Sequence, residues 1–358
     1  MAAPSTGEAP RSLVLNVALF AILAGLALAP FLFPGSQSLN VAAKICYFIV
    51  LAASFDLLLG YTGVVSFAHT MFFGIGGYAV AIALYAMGPS WAAIGTGIAI
   101  GLPLAMLLAL AIGLFSLRVA AIFFAMITLA VASAFQVLAS QLSWLTGGED
   151  GRTFRVPELL RPGFKLFDTE LFGVAITGRI VTYYLVFAAA VLLFLAMLRV
   201  VNSPFGRVLQ AIRENDFRAE AIGYRTVVYR SIINCVSAAM ATLAGVLCAL
   251  WLRYTGPGTT LSFDIMLDIL LMVVIGGMGT LYGAVIGATI LLLAESYLQN
   301  LMGALSRALE GLPILPQLFH PDRWLLWLGL LFIASVYFFP TGVVGRLRRP
   351  KGASAKSR

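Results

Sequence analysis

Long uncharged apolar stretches follow one another along this chain, separated by short polar breaks. The first, residues 12–33, holds no Asp, Glu, Lys or Arg. As a helix it measures about 33 Å, enough to cross a hydrocarbon layer of about 30 Å. Ala27-Leu28-Ala29 resembles a signal cleavage site, but Pro30 directly after it and the long apolar core argue for a retained helix. Further runs follow at about 39–59, 66–88, 91–117, 119–142, 182–201, 230–252, 264–282, 284–302 and 324–341. The pattern predicts an all-α fold: a polytopic helical membrane protein with about ten transmembrane spans. Its transmembrane domain covers 12–341, between a short segment at 1–11 and a polar, basic, disordered tail at 342–358.

Composition excludes the soluble alternatives. Of 358 residues, 61% are hydrophobic and 11% charged, with a mean hydropathy of +0.98. Soluble domains carry about 25% charge, because charge must cover the outside of a core. The net charge is +8, from 23 Lys and Arg against 15 Asp and Glu. These cations sit between the apolar runs, which the positive-inside rule explains with no nucleic acid involved. Arg11, Arg118, Arg199, Arg207, Arg213, Arg218, Arg225, Arg230 and the tail cations all fall on one side, which places both termini in the cytoplasm. The segment on the other side, 146–179, balances five cations with five acids. Tyr78, Trp91, Trp144, Tyr254 and Trp324, near span ends, read as interfacial anchors.

Candidate chemistry is sparse. Cys46, Cys235 and Cys248 lie within apolar runs and read as small core hydrophobes. No Gly-x-x-x-x-Gly-Lys-Ser/Thr phosphate loop occurs, no metal spacing, and no catalytic order around His69 or His320. No enzyme activity, metal or cofactor is expected; any nucleotide hydrolysis would belong to another polypeptide.

The internal segment 202–229 is the most informative. Ser203 is placed to cap a helix whose first position is Pro204. Phe205, Val208, Leu209 and Ile212 then recur at helical spacing as one apolar stripe, with Arg207, Gln210, Arg213 and Glu214 on other faces. Asp216 is expected to cap a second short helix, 217–222, ended by Gly223. An interfacial helix lying in the headgroups would suit Arg207, Arg213 and Arg218. Glu214, Asp216 and Glu220, which anionic lipid would repel, favour docking to a cytoplasmic partner.

Two glycine-interrupted regions stand out. Gly60, Gly63, Gly74, Gly76 and Gly77 flank the end of span two and span three; Gly276, Gly277, Gly279, Gly283 and Gly287 do the same at spans eight and nine. Matched interruptions in two halves of a repeat point to a substrate route, and small-residue helix packing explains the same glycines equally well. Asp56, one turn from the end of span two beside Gly60 and Tyr61, could bind a solute ammonium or pair with a side chain. Its nearness to the helix end favours snorkelling to the inner surface. His69, near Ser66, could hydrogen-bond solute, but a structural bond is favoured. Glu295 and, closer to the outer interface, Asp264 and Asp268 are further candidates; Lys44 sits within a span. A proton- or sodium-coupled carrier using Asp56, His69 or Glu295 is the competing functional class, and a structural scaffold a third.

Four stretches then share a resemblance: GYTGVVSFAHTMFFGIGGY at 60–78, TGGEDG at 146–151, SPFGRVLQAIRENDFRAEAIG at 203–223 and LLMVVIGGMGTLYGAVIGA at 270–288. In order and spacing they resemble branched-chain amino-acid ABC transporter permeases of the LivM type, over about 41–339. The resemblance implies a membrane subunit of an ATP-driven importer in a bacterial inner membrane, forming half of a translocation pathway. It implies a homologous second permease, two ATP-binding subunits and an extracytoplasmic solute-binding protein as partners. It also implies that Phe205, Arg207, Ile212, Arg213, Glu214, Asn215, Asp216, Glu220 and Gly223 belong to the element that contacts the ATPase. Asp56, Gly60, Tyr61, Gly63, Ser66, His69, Gly276, Gly277 and Gly279 are the candidate pathway residues. The chain departs from the family at Ala68, usually Gly, at Asp56, often Asn, and at Ala284 and Ala294, often Pro. Related permeases of this architecture carry urea, short amides or other amino acids.

Overall fold

The apolar runs become helices close to where the pattern puts them. The computed structural model describes residues 13–32, 35–116, 121–165, 177–308, 319–339 and 341–348; the segment 1–11 and the tail beyond 348 lie outside these. In order come α1 (Leu13–Leu32), α2 (Ser36–Thr62), α3 (His69–Met87), α4 (Trp91–Ser116), α5 (Ala121–Gln141) and the single turn α6 (Ser143–Thr146). Then follow α7 (Gly178–Val201), α8 (Pro204–Glu214), α9 (Asp216–Ala221), α10 (Thr226–Leu252), short α11 (Pro257–Thr260) and α12 (Phe263–Gly276). The last are α13 (Leu281–Ala308), α14 (Trp324–Phe338) and α15 (Gly342–Arg348).

Among the described residues, 9 helices are long and apolar enough to cross a membrane, the stretch Pro257–Gly276 counting as one. The tenth expected span is shorter than its apolar run: α14 has 15 residues. That is about 22 Å of helix, less than the hydrocarbon thickness. The tail also departs from expectation. Residues 342–348 are not disordered but form α15, whose Val344 is fully buried beside Leu15 and Ile286.

A helix apolar on every side belongs in the middle, and α2 is buried along nearly its whole length. Around it pack α3, α7, α10, α12 and α13, while α1, α4, α5 and α7 leave most of their surface outward. Leu13, Phe20, Leu107, Ile122 and Leu192 are exposed there, as lipid-facing residues must be.

Close helix contact uses one device twice. A Cβ at Gly76 would overlap the Thr242 carbonyl, and one at Gly245 the Phe73 carbonyl, so α3 and α10 meet backbone to backbone. At α12 and α13 the pairs are Gly276 with Gly283 and Gly287 with Met272. These glycines serve helix packing. Ala284 and Ala294 lie within α13, which runs unbroken from Leu281 to Ala308.

At the bundle end opposite α8, β1 (Arg152–Thr153) pairs antiparallel with β2 (Tyr254–Thr255). This ties residues 152–153 to the chain just beyond the end of α10. Tyr78, expected at an interface, is instead buried against Ala139 and Leu261; Trp91 and Trp144 are exposed as anchors should be.

Candidate functional site

The 202–229 element is built as its sequence dictates, with one shift. The Ser203 side chain accepts the Gly206 N–H and Pro204 occupies the first turn of α8. The second helix is capped by Asn215, whose Oδ1 accepts the Arg218 N–H at 2.9 Å, and not by Asp216. Asp216 is thereby freed to form an ion pair with Arg230 at 2.8 Å. Glu220 accepts from the Thr226 hydroxyl at 2.6 Å, and Gly223 turns the chain at φ 96°. Together these bonds lock α9 onto the start of α10.

The apolar stripe of α8 faces inward. Leu209 and Ile212 are buried, and Phe205 stacks on Tyr229 with ring centroids 5.6 Å apart. The stripe is thus an anchor to the bundle. Arg207, Glu214 and Arg218 point outward, and between them stand Phe217, 83% exposed, and Ile222, 68% exposed. A large aromatic left in the open beside arginine is the side-chain chemistry of a contact hot spot. Phe217 lies off the α8 stripe, so helical periodicity gave no sign of it.

The two glycine regions meet beneath α8. The Arg213 guanidinium donates from Nη1 to the Gly60 carbonyl at the end of α2. Gly63 closes that helix in the left-handed region, φ 72°, with Arg213 alongside. Asp56 is fully buried, and its Oδ1 accepts the Gly279 N–H at 2.9 Å. The snorkelling expectation is therefore overturned. A chain segment 223 residues away folds over the end of α2 and encloses the carboxylate. Gly60 allows this approach, because a Cβ there would overlap both the Asp56 carboxylate and the Gly279 N–H. Gly279 has φ 82°, and a Cβ on it would sit 2.6 Å from Arg213 Nη1. Asp56, Gly60, Gly63, Gly279 and Arg213 form one junction.

The other candidates lie around it. Gly276 packs on Gly283, and Gly277, at φ 119°, is covered by the Thr341–Gly342 backbone leading into α15. Tyr61 and Ser66 are buried. His69 is buried one helix start away, its Nε2 2.7 Å from Ser237 Oγ, whose hydroxyl donates to the Ser54 carbonyl. That order of donors assigns the ring proton to Nε2 and links α3, α10 and α2. Phe55 meets the ring edge-on at 5.0 Å.

A second polar group crosses the bundle nearer its other end. Lys44 of α2 bonds both carboxylate oxygens of Glu295 on α13 at 3.0 Å. Lys44 was visible as a charge within a span; nothing in its neighbourhood identified a partner 251 residues away.

The LivM permease protein of the high-affinity branched-chain amino acid transport system of Salmonella typhimurium is 25% identical over 302 residues, 80% of this chain and 69% of that protein. A probable LivM permease of Methanocaldococcus jannaschii is 29% identical over 45% of each chain. LivH of Salmonella typhimurium is 27% identical over 74% of this chain and 86% of its own. No solved structure matches. The family profile described as branched-chain amino acid transport system / permease component matches residues 37–336, most of the chain, and the chain belongs to that family.

Proposed function

We propose that this chain is the membrane-spanning permease subunit of an ATP-binding-cassette importer, forming half of a pathway for branched-chain or related small amino acids. Its partners in this reading are a homologous second permease, two ATP-binding subunits and an extracytoplasmic solute-binding protein. It lies in a cytoplasmic (inner) membrane with both termini inside. ATP hydrolysis takes place on the partner subunits.

The observation that carries the reading is the bond from Arg213 into the Gly60–Gly279 junction. It joins the α8–α9 element directly to the ends of both glycine-interrupted regions. A push on α9 at Phe217 and Ile222 is carried by α8, whose Leu209 and Ile212 are clamped in the bundle. The push reaches the C-terminal end of α2 and the corner between α12 and α13 as one displacement. Packed junctions of this kind shift between discrete arrangements and do not deform continuously. That suits a gate driven from outside the bundle. The match to both LivM and LivH supports a paired, homologous permease.

Reconstitution tests the reading. Liposomes holding the chain with its copurified partners should take up labelled L-leucine when given ATP and the binding protein. Liposomes holding the chain alone, under a proton or sodium gradient, should take up none. Gradient-driven uptake by the isolated chain would instead establish a secondary carrier.

A further inference from the structure

The Lys44–Glu295 pair has no role in the coupling junction. It lies well away from α8, and its environment differs from that of an ordinary structural ion pair in three respects.

The first is depth. Lys44 lies about 12 Å along α2 from Ser36, the outer end in the proposed orientation, and Glu295 about 21 Å along α13 from Leu281. Both lie well inside helices long and apolar enough to cross a membrane. The second is access: the two side chains keep 32% and 29% of their surface exposed. A charge facing lipid at the helix centre costs about 2.5–3.5 kcal/mol on insertion scales, so exposed charges at this depth face a water-filled cavity or another protein. The third is composition. Asp268 sits on α12, which packs against both α2 and α13; it lies within electrostatic reach of both residues, and its side chain has no hydrogen bond or ion pair among the described residues. One ammonium therefore faces two carboxyls.

We infer that Lys44, Asp268 and Glu295 form a relay site in the translocation pathway that receives the charged ends of a zwitterionic amino acid. The inference rests on the proposed importer function and deepens it. The solute's ammonium supplies the second cation that two carboxyls require, and engages Asp268 and Glu295. Its carboxylate takes one of the Lys44 donors, and Lys44 can release a Glu295 oxygen to make room because it holds both. The side chain of the solute is left beside Phe48, over whose ring Lys44 already rests, 5.6 Å from its centroid. The site stands between the outer mouth and the Asp56 junction, so solute would meet it before the gate that α8 moves.

The test is ATP-driven uptake of labelled L-leucine by the complete reconstituted transporter carrying Glu295→Gln, Asp268→Asn, or the charge exchange Lys44→Glu with Glu295→Lys. Copurification with the partners and thermal unfolding are measured alongside. A relay site predicts that all three variants assemble. Glu295→Gln and the exchange should lower maximal uptake at least tenfold, and Asp268→Asn several-fold. The exchange keeps an ion pair and the same net charge but inverts the positions that meet the solute. Native uptake by the exchanged protein would reduce the pair to a structural bond and overturn the inference. Loss of the partner permease from Glu295→Gln would make the pair a subunit contact, and would overturn it too. If the native transporter itself took up no leucine, the importer reading would fail and the relay site with it. Native uptake with unaffected variants would remove the relay site alone.

Discussion

Two of the polar groups that join helices across this bundle are built in opposite ways. At the α8 end, Asp56 and Arg213 bond to backbone, through Gly279 N–H and the Gly60 carbonyl, and Asp56 is wholly enclosed. Nearer the other end, Lys44 and Glu295 bond side chain to side chain and stay partly open. Backbone partners on glycine corners leave no slack: the close approach depends on missing Cβ atoms. Side-chain partners can exchange one ligand for another without moving a helix. The first arrangement suits transmission of force and the second suits a passing solute.

The largest effect should come from filling the closed group. Gly60→Val places atoms where the Asp56 carboxylate and Gly279 N–H lie. Overpacking of this kind costs about 3 kcal/mol at the upper end of its usual range. The expected outcome is a lowered unfolding temperature in detergent and no ATP-driven uptake. A fully stable, active Gly60→Val protein would break the contrast between the two regions. Asp56 sharpens it. Asp56→Ala strands the half-buried Gly279 N–H and should cost about 1–3 kcal/mol. Asp56→Asn keeps an acceptor oxygen and should cost about 1 kcal/mol, the difference between a charged and a neutral hydrogen bond. Thermal unfolding of the two variants reads the difference, and equal losses would mean that the Gly279 bond is incidental.

Phe217→Ala should be the mildest in stability, within about 0.5 kcal/mol, because the ring is exposed. If the ring anchors the ATPase it should still weaken copurification, by about 2 kcal/mol or roughly thirtyfold. Undiminished ATPase retention would move the docking surface elsewhere.

The helical class, the membrane class and most spans were legible because hydropathy over twenty residues is a local property. The Ser203 cap and the α8 stripe were legible for the same reason. What failed depended on distant chain. Asp56 sits near a helix end, where snorkelling is the local expectation, until the Gly279 turn closes over it. The stripe identified which residues share a face; only the fold shows that this face meets α2 and leaves Phe217 outside. Tyr78 looked interfacial by position, yet Leu261 and Ala139 cover it. Residues 342–348 looked like a polar tail because Val343 and Val344 are short apolar interruptions, and Gly342 is what lets the chain lie on Gly277.

In the proposed importer, force enters from a separate protein at α9 on the cytoplasmic side. A single-cysteine chain carrying Phe217→Cys, with Cys46, Cys235 and Cys248 replaced, tests it with a membrane-impermeant maleimide. Rapid labelling is expected in inside-out vesicles stripped of peripheral subunits, and protection once the ATP-binding subunits are restored. Labelling from the outer face of intact cells, or labelling indifferent to those subunits, would contradict it.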